Sequence, residues 1–381
     1  MSTILGYPWG GADALWTRTA SGALARGHDV LVAVSPVVAA HPRVAALPAA
    51  GARLQVRHGF TQQRGRRDRW GQALRRRLRS RRSLTAALDA FRPEYVLLCQ
   101  GSAFDFLIED GLTRWLQETG CPYGIICQSN DARDRLDPGA QAAARRFLGG
   151  AHRLIYVSTQ NLRLAESQCG GSLAHATVVP NPVELPAEPR PLAWPAAAAP
   201  RLAVVARLEQ DPKGLDVLLA ALALVPAGDW QVRVFGRGPD EAVLRAQADA
   251  LGLGPRLQFC GYEPDVLRIW REHHALLLPS RREGCALALL EAMACGRPVI
   301  ATDVGGTGDW VEPGRSGYIC PPGDAAALAR LLQEALANFS DWPRLGAAAA
   351  RTIALRHPPA PETLILDALP TPPAANPAGI I

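Results

Sequence analysis

Short apolar runs and longer, helix-length stretches alternate along most of this chain, with breakers between them. Arg201–Ala206, Trp230–Phe235, Leu257–Gly261, Ala275–Leu278 and Pro298–Thr302 are expected to be strands, and Ala275–Leu278, apolar throughout, a buried parallel one. Between them lie segments of helical length. These are Gly214–Leu224, a segment opened by Pro239 with Asp240 and Glu241 in its first turn, and Ala286–Cys295, stopped by Gly296. The first half repeats the alternation with weaker punctuation. Val30–Val34, Glu94–Leu98, Tyr123–Cys127 and Arg153–Ser158 are expected strands, Ile4–Gly6 a short first one, and Ala12–Arg26 a helix ended by Gly27-His28-Asp29. Strands alternating with helices predict an α/β fold with parallel sheets.

A chain of 381 residues is long enough for two domains. The expected division is 1–184, a proline-rich linker over 185–200, and 201–356. Pro186, Pro189, Pro191, Pro195 and Pro200 stiffen the linker. Helices are expected from Asp324 to about Leu336 and over Trp342–Arg356. Residues 357–381 form a proline-rich tail, with seven prolines and little charge, and disorder is expected in about the last twenty of them.

Composition narrows the class. Hydrophobic residues make up 48% of the chain, and no stretch approaches the ~20 apolar residues that span a bilayer. The opening MSTILGYPWGG lacks the charged start and apolar core of a signal peptide. Eight cysteines form no C-x-x-C pair and mostly sit in apolar runs, the pattern of reduced core thiols in a cytoplasmic protein without a zinc site. The net charge of +6 comes from arginine; Lys213 is the one lysine. Arg64–Arg82 holds ten arginines in nineteen residues, with Asp68 the one acid and Trp70, Ala73, Leu74 and Leu78 at helical spacing. It is a candidate surface for anionic lipid or a phosphorylated acceptor, against the alternative of a solvated loop-helix. Nucleic acid is not expected as a partner, because aromatic interleaving is thin.

Candidate chemistry concentrates in Leu276–Asp324. Glu283 precedes a helix and Glu291 lies within it, slightly over two turns apart. Helix N-terminal N–H groups attract phosphate, whereas carboxylates repel it. The combination makes sense if the N–H groups bind phosphates and the acids bind hydroxyls, which describes a sugar nucleotide. The first crossover, Tyr7-Pro8-Trp9-Gly10-Gly11, carries a glycine pair but no G-x-G-x-x-G, which argues against a nicotinamide-dependent dehydrogenase.

Glu283, seven residues, Glu291 and then AMACGRPVIATDVGG resemble the donor-site signature of retaining glycosyltransferases of family 4. VARLEQDPKGLDVLLAAL resembles that family's R-x(n)-K-G segment, VFGRGP its V-x-G-x-G-P turn, and TVVPNP its V-P-N-G turn with Pro182 in place of glycine. The resemblance implies the GT-B fold, two Rossmann-like domains facing across a deep cleft. It implies metal-independent transfer, with retention, from a nucleoside-diphosphate sugar to a glycan, lipid-linked or small-molecule acceptor, without a cofactor, the chemistry of surface polysaccharide or glycolipid synthesis at the inner membrane face. Arg207 and Lys213 would stabilise the leaving diphosphate. Glu283 would position the sugar and Glu291 the ribose. Gly284, Cys285, Ala286 and Leu287 would offer N–H groups, Gly10 and Gly11 would lie near the phosphates, and Gly236 and Tyr262 near the nucleotide. Gln100, Gln128, Asn130 and Asp131 are acceptor-side candidates at two strand ends. The two glutamines stand where the family often has histidine, which puts the acceptor-side chemistry in doubt. Cys285 and Ala286 replace commoner Phe and Gly, and Asp309 stands where G-G-x-x-E would place Glu. A GT-B epimerase or phosphorylase, or a non-catalytic partner subunit, would share these expectations in part.

Overall fold

The computed structural model describes residues 9–57, 84–108, 110–186 and 190–369. The expected strand Ile4–Gly6 and the arginine-rich segment Arg64–Arg82 lie outside them. The chain forms two compact units. The first draws on residues within Met1–Val157, Asn161–Pro182 and Ala360–Ile381; the second is Ser158–Gln160 with Val183–Pro359.

In the first unit, β1 (Leu31–Val34) pairs in parallel with β2 (Arg53–Val56). A second parallel sheet runs β3 (Val96–Gln100), β4 (Tyr123–Cys127), β5 (Arg153–Tyr156) and β6 (Ala176–Val178) in that order. Ile125, Cys127, Leu154 and Tyr156 are fully buried, and Phe147 and Leu148 of helix Pro138–Gly149 pack into the same core. Strand β2 and helices Asp110–Thr119, Pro138–Gly149 and Thr159–Cys169 were not anticipated; all are short, and Pro138–Gly149 is rich in alanine.

The second unit is one six-stranded parallel sheet. Its strands are β7 (Arg201–Val205), β8 (Gln231–Phe235), β9 (Leu257–Gly261), β10 (Ala275–Leu278), β11 (Val299–Thr302) and β12 (Gly317–Cys320), in the order β12-β11-β10-β7-β8-β9. Counted from β7, this is 6-5-4-1-2-3, the order of a dinucleotide-binding sheet, and its direction of progression reverses between β7 and β10. β10 and β11 are buried at every position, as a strand covered on both faces must be.

Both proline-rich segments have packing partners among the described residues. The proline-rich linker is packed on the second unit: Leu192 N–H donates to the Cys295 carbonyl at 3.2 Å, and Trp194 lies against its core. The buried Arg297 guanidinium holds that segment by donating to the Ala193 carbonyl at 2.6 Å and to Trp270 O at 2.8 Å. The tail begins with a helix, Pro361–Leu366, opened by a proline and docked on helix Gly11–Ala25. Arg18 pairs with Glu362 and Arg26 with Asp367, each at 2.7 Å. The six cysteines Cys99, Cys127, Cys169, Cys285, Cys295 and Cys320 are buried thiols, whereas Cys121 is half-buried and Cys260 exposed.

Candidate active site

The sheet order dictates where the second unit can bind a ligand. Where the winding direction changes, the loops leaving neighbouring strands diverge and open a crevice beyond the strands' carboxyl ends. Here those strands are β7 and β10, paired in parallel through Ala275 with Leu202 and Leu276 with Ala203. Arg207 and Lys213 follow β7, and Ser280 to Leu287 follow β10, so the switch point gathers two segments about seventy residues apart.

Lys213 and Glu283 meet there. Lys213 Nζ donates to Glu283 Oε1 at 2.7 Å, with the side chains 20% and 9% exposed. Ser280, itself fully buried, donates its hydroxyl to the same oxygen at 2.8 Å. Both turns are packed tightly. Gly214 sits at φ +66, and a Cβ there would run into the Pro279 carbonyl. Gly305, at φ +56, leaves no room for a Cβ against the carbonyls of Glu283 and Gly284, and Gly306 N–H donates to the Gly284 carbonyl at 2.6 Å. Such close backbone approach is open to glycine alone.

Gly284 and Cys285 lead into Ala286, the N-cap of helix Leu287–Ala294, and no side chain caps it. The first-turn N–H groups of this helix are therefore directed at whatever the crevice holds. The helix is apolar all round and buried, and it carries Glu291 inside, 6% exposed. Burial, reinforced by the nearby Glu184 carboxylate, pushes the Glu291 carboxyl up to about 8. Glu184 has no chemical signature in the sequence; only its proximity to Glu291 marks it.

The other anticipated residues are distributed as follows. Arg207 leaves β7 and pairs with the buried Glu209 at 3.0 Å. Gly236 ends β8 and donates its N–H to the Gly261 carbonyl at 2.8 Å, while Tyr262 just beyond is 69% exposed. Asp309 accepts from Thr159 N–H at 2.8 Å.

In the first unit, Gly10 is the N-cap of helix Gly11–Ala25, and its N–H is taken by Asp13 Oδ2 at 3.0 Å. Asp13 also accepts from the Trp16 indole at 2.9 Å. It is buried, which raises its carboxyl pKa against the pull of those two bonds. Gln100 is fully buried, with its amide turned to donate to the Ser102 and Ala103 carbonyls, each at 3.1 Å. Gln128 is 4% exposed and lies beside the Cys99 thiol. Asn130 donates to Gln168 Oε1 at 2.8 Å and accepts from Asp131 N–H at 2.9 Å. Asp131 forms an ion pair with Arg133 at 2.9 Å. Gln100 and Asp131 thus bond within their own loops and Asn130 bonds to helix Thr159–Cys169; all four candidates belong to the first unit, whereas Lys213 and Glu283 belong to the second. Among the described residues, no group of three or more His, Cys, Asp and Glu gathers as a metal site would require. No helix among them is long and apolar enough to cross a membrane.

Comparison with known proteins agrees with this arrangement. The family model for glycosyl transferases group 1 matches residues 199–338, and that for glycosyltransferase family 4 matches residues 9–186. The N-acetyl-alpha-D-glucosaminyl L-malate synthase of Bacillus anthracis is 34% identical over 114 residues, 30% of this chain and 30% of that protein. The lipopolysaccharide core biosynthesis mannosyltransferase LpsB of Rhizobium meliloti is 36% identical over 151 residues, 37% of this chain and 42% of that protein. The matches thus span less than half the length of these relatives. Among solved structures, HepE of Anabaena in complex with UDP is similar over 96% of this chain and 97% of that chain, with a TM-score of 0.71 and 18% identity. The lipopolysaccharide outer core galactosyltransferase WaaB is similar over the same shares, with a TM-score of 0.68 and 17% identity. At such identities the likeness is one of fold. With one family model on each unit and the fold shared along nearly the whole length, the chain belongs to the group 1 glycosyltransferases of the GT-B type.

Proposed function

We propose that the protein transfers a sugar from a nucleoside-diphosphate donor to a glycan or lipid-linked acceptor in surface polysaccharide or glycolipid synthesis, with retention at the anomeric carbon and without a metal ion. The observation that carries this reading is the Lys213–Glu283 contact at the switch point, beside an uncapped helix N-terminus. A leaving diphosphate gains negative charge as the glycosidic bond breaks, and fixed cations aimed at that charge lower the barrier. An ammonium has three N–H donors, and the bond to Glu283 uses one, so Lys213 keeps two for phosphate oxygens. Arg207 would supply the second cation. Glu283, held by Ser280, would accept hydroxyls of the donor sugar, and Glu291 would hold the ribose. LpsB and WaaB are by name transferases of lipopolysaccharide sugars, and HepE was crystallised with UDP; both facts favour this substrate class. The arginines of 64–82 would bring the protein to an anionic membrane surface on the cytoplasmic side.

The test is a thermal-shift screen with UDP, GDP, dTDP, ADP and CMP in EDTA, followed by transfer assays with the sugars of whichever diphosphate binds. A ligand that binds the native state alone raises apparent stability by RT ln(1 + [L]/Kd). One stabilising diphosphate, and product of retained anomeric configuration by NMR, is the expected result. Binding without turnover on any donor would identify a non-catalytic relative, and no shift with any nucleotide would remove the reading.

A further inference from the structure

Lys213 and Glu283 lie on turns from two different strand–helix units, and their 2.7 Å contact needs something to hold those turns in register. Backbone pairing supplies part of it: Arg281 N–H donates to the Pro212 carbonyl at 2.8 Å, and Arg282 N–H to the same oxygen at 3.3 Å. The larger connection is made by one side chain. The Arg281 guanidinium reaches across to the Lys213 turn, where Nη2 donates to Asp216 Oδ2 at 2.7 Å and Nη1 engages Asp216 Oδ1. Nη1 also donates to the Gln210 carbonyl at 2.8 Å. Gln210 lies three residues before Lys213 and Asp216 three residues after it, so one planar group grips both ends of the segment with the lysine at its centre.

We propose that Arg281 and Asp216 are a positioning pair for the diphosphate site, acting through Lys213 and not through contact with the donor. This rests on the donor-site reading above. A bidentate guanidinium–carboxylate pair fixes orientation as well as distance, and a lysine in place of the arginine cannot reproduce it. Burial raises the Asp216 carboxyl, but the hydrogen bonds and charge of Arg281 outweigh this and leave it below its ordinary value, so the pair is ionised at neutral pH. Asp216 also sits in the first turn of helix Leu215–Leu224, where a negative charge is favoured. At 31% and 30% side-chain exposure the pair adds little to global stability, since solvent screens partly exposed ion pairs. Its value lies in geometry: misplacing a catalytic group by about 1 Å can cost about a hundredfold in rate. Arg282 makes a similar but more peripheral contact with Asp211 at 2.8 Å and grips one end of the turn alone.

The chain's single lysine allows a test that does not depend on turnover. Lysine labelled with 15N gives one side-chain ammonium signal, that of Lys213, and a hydrogen-bonded ammonium exchanges its protons slowly enough to be seen. The full-length protein and its Arg281→Lys and Asp216→Asn variants are compared by this signal, by melting temperature, and by kcat and KM for the donor. The expected result is a resolved signal in the parent, lost or broadened in both variants at an unchanged melting temperature. A fall in kcat of about tenfold or more should accompany it, larger than any change in KM. Arg281→Lys should cost nothing further in a Lys213→Ala background, because the pair acts through the lysine. An unchanged ammonium signal in both variants, or an equal kcat loss with and without Lys213, would overturn the proposal. If UDP and the other nucleotides fail to stabilise the parent protein, the donor-site reading falls by itself, and the ammonium signal still decides whether the pair positions Lys213.

Discussion

Replacing Glu291 by glutamine tests the electrostatics of the site most directly. The carboxyl sits inside an apolar helix, 6% exposed, with the Glu184 carboxylate as its charged neighbour. Its pKa is raised from 4.5 to about 8. The sign follows from which state holds the proton. Below 4.5 both native and unfolded states are protonated, and Glu291 costs nothing. Between 4.5 and about 8 the unfolded chain has lost the proton and the native state keeps it, so rising pH favours unfolding. Above about 8 both states are ionised, and the full penalty is in place. One pKa unit corresponds to about 1.4 kcal/mol, so the wild type loses up to about 4 kcal/mol from this group between about pH 5 and pH 8. Glutamine has the shape of the neutral acid and does not titrate. The stability difference between Glu291→Gln and wild type should therefore grow in favour of the variant by about 1 kcal/mol per pH unit across that range, whatever constant offset the substitution adds. Urea unfolding at a series of pH values, followed by tryptophan fluorescence, measures it. Glu184→Gln should reduce the same slope, because it removes the second cause of the shift. A difference that stays flat from pH 5 to pH 8 would mean that Glu291 is ionised in the native protein, and the argument from burial would fail.

Three further outcomes are expected. Lys213→Ala should weaken nucleotide-dependent stabilisation, and either Lys213→Ala, which removes a fixed transition-state charge, or Glu283→Ala, which removes a sugar-positioning group, should lower kcat by about a hundredfold or more with the circular dichroism spectrum unchanged; full activity in either variant would remove that residue from the mechanism. Gly214→Ala should destabilise the second unit by about 2–4 kcal/mol, because the residue holds φ +66 and its Cβ would collide with the Pro279 carbonyl; a wild-type melting temperature would contradict that close approach. Replacing the arginines of 64–82 by serine should weaken co-sedimentation with anionic liposomes, at roughly 1 kcal/mol per basic residue near the surface, and unchanged sedimentation would exclude the membrane contact.

The sequence by itself determined the α/β class and the donor signature, because both are written in local patterns. A buried parallel strand is a run of apolar residues, so Tyr123–Cys127 and Ala275–Leu278 were legible to the residue. Glu283 and Glu291 are legible together because one turn and one helix carry both. Several helices of the first unit, such as Pro138–Gly149, were not read from the sequence, since a short helix is stabilised mainly by what it packs against, here through Phe147 and Leu148. What the linker and the start of the tail pack against was not legible for a related reason: Arg297 and helix Gly11–Ala25 supply those partners from far along the sequence. Only the tertiary structure decided which turns meet. Winding the sheet outward from β7 in both directions brings β10 beside it, and this alone sets Lys213 on Glu283 and Arg281 on Asp216. It also decided that Gln100 turns into its own loop and that Glu184 approaches Glu291. Contacts of this kind depend on strand order and on side-chain direction beyond the strand ends, and neither quantity is carried by the spacing of residues along the chain.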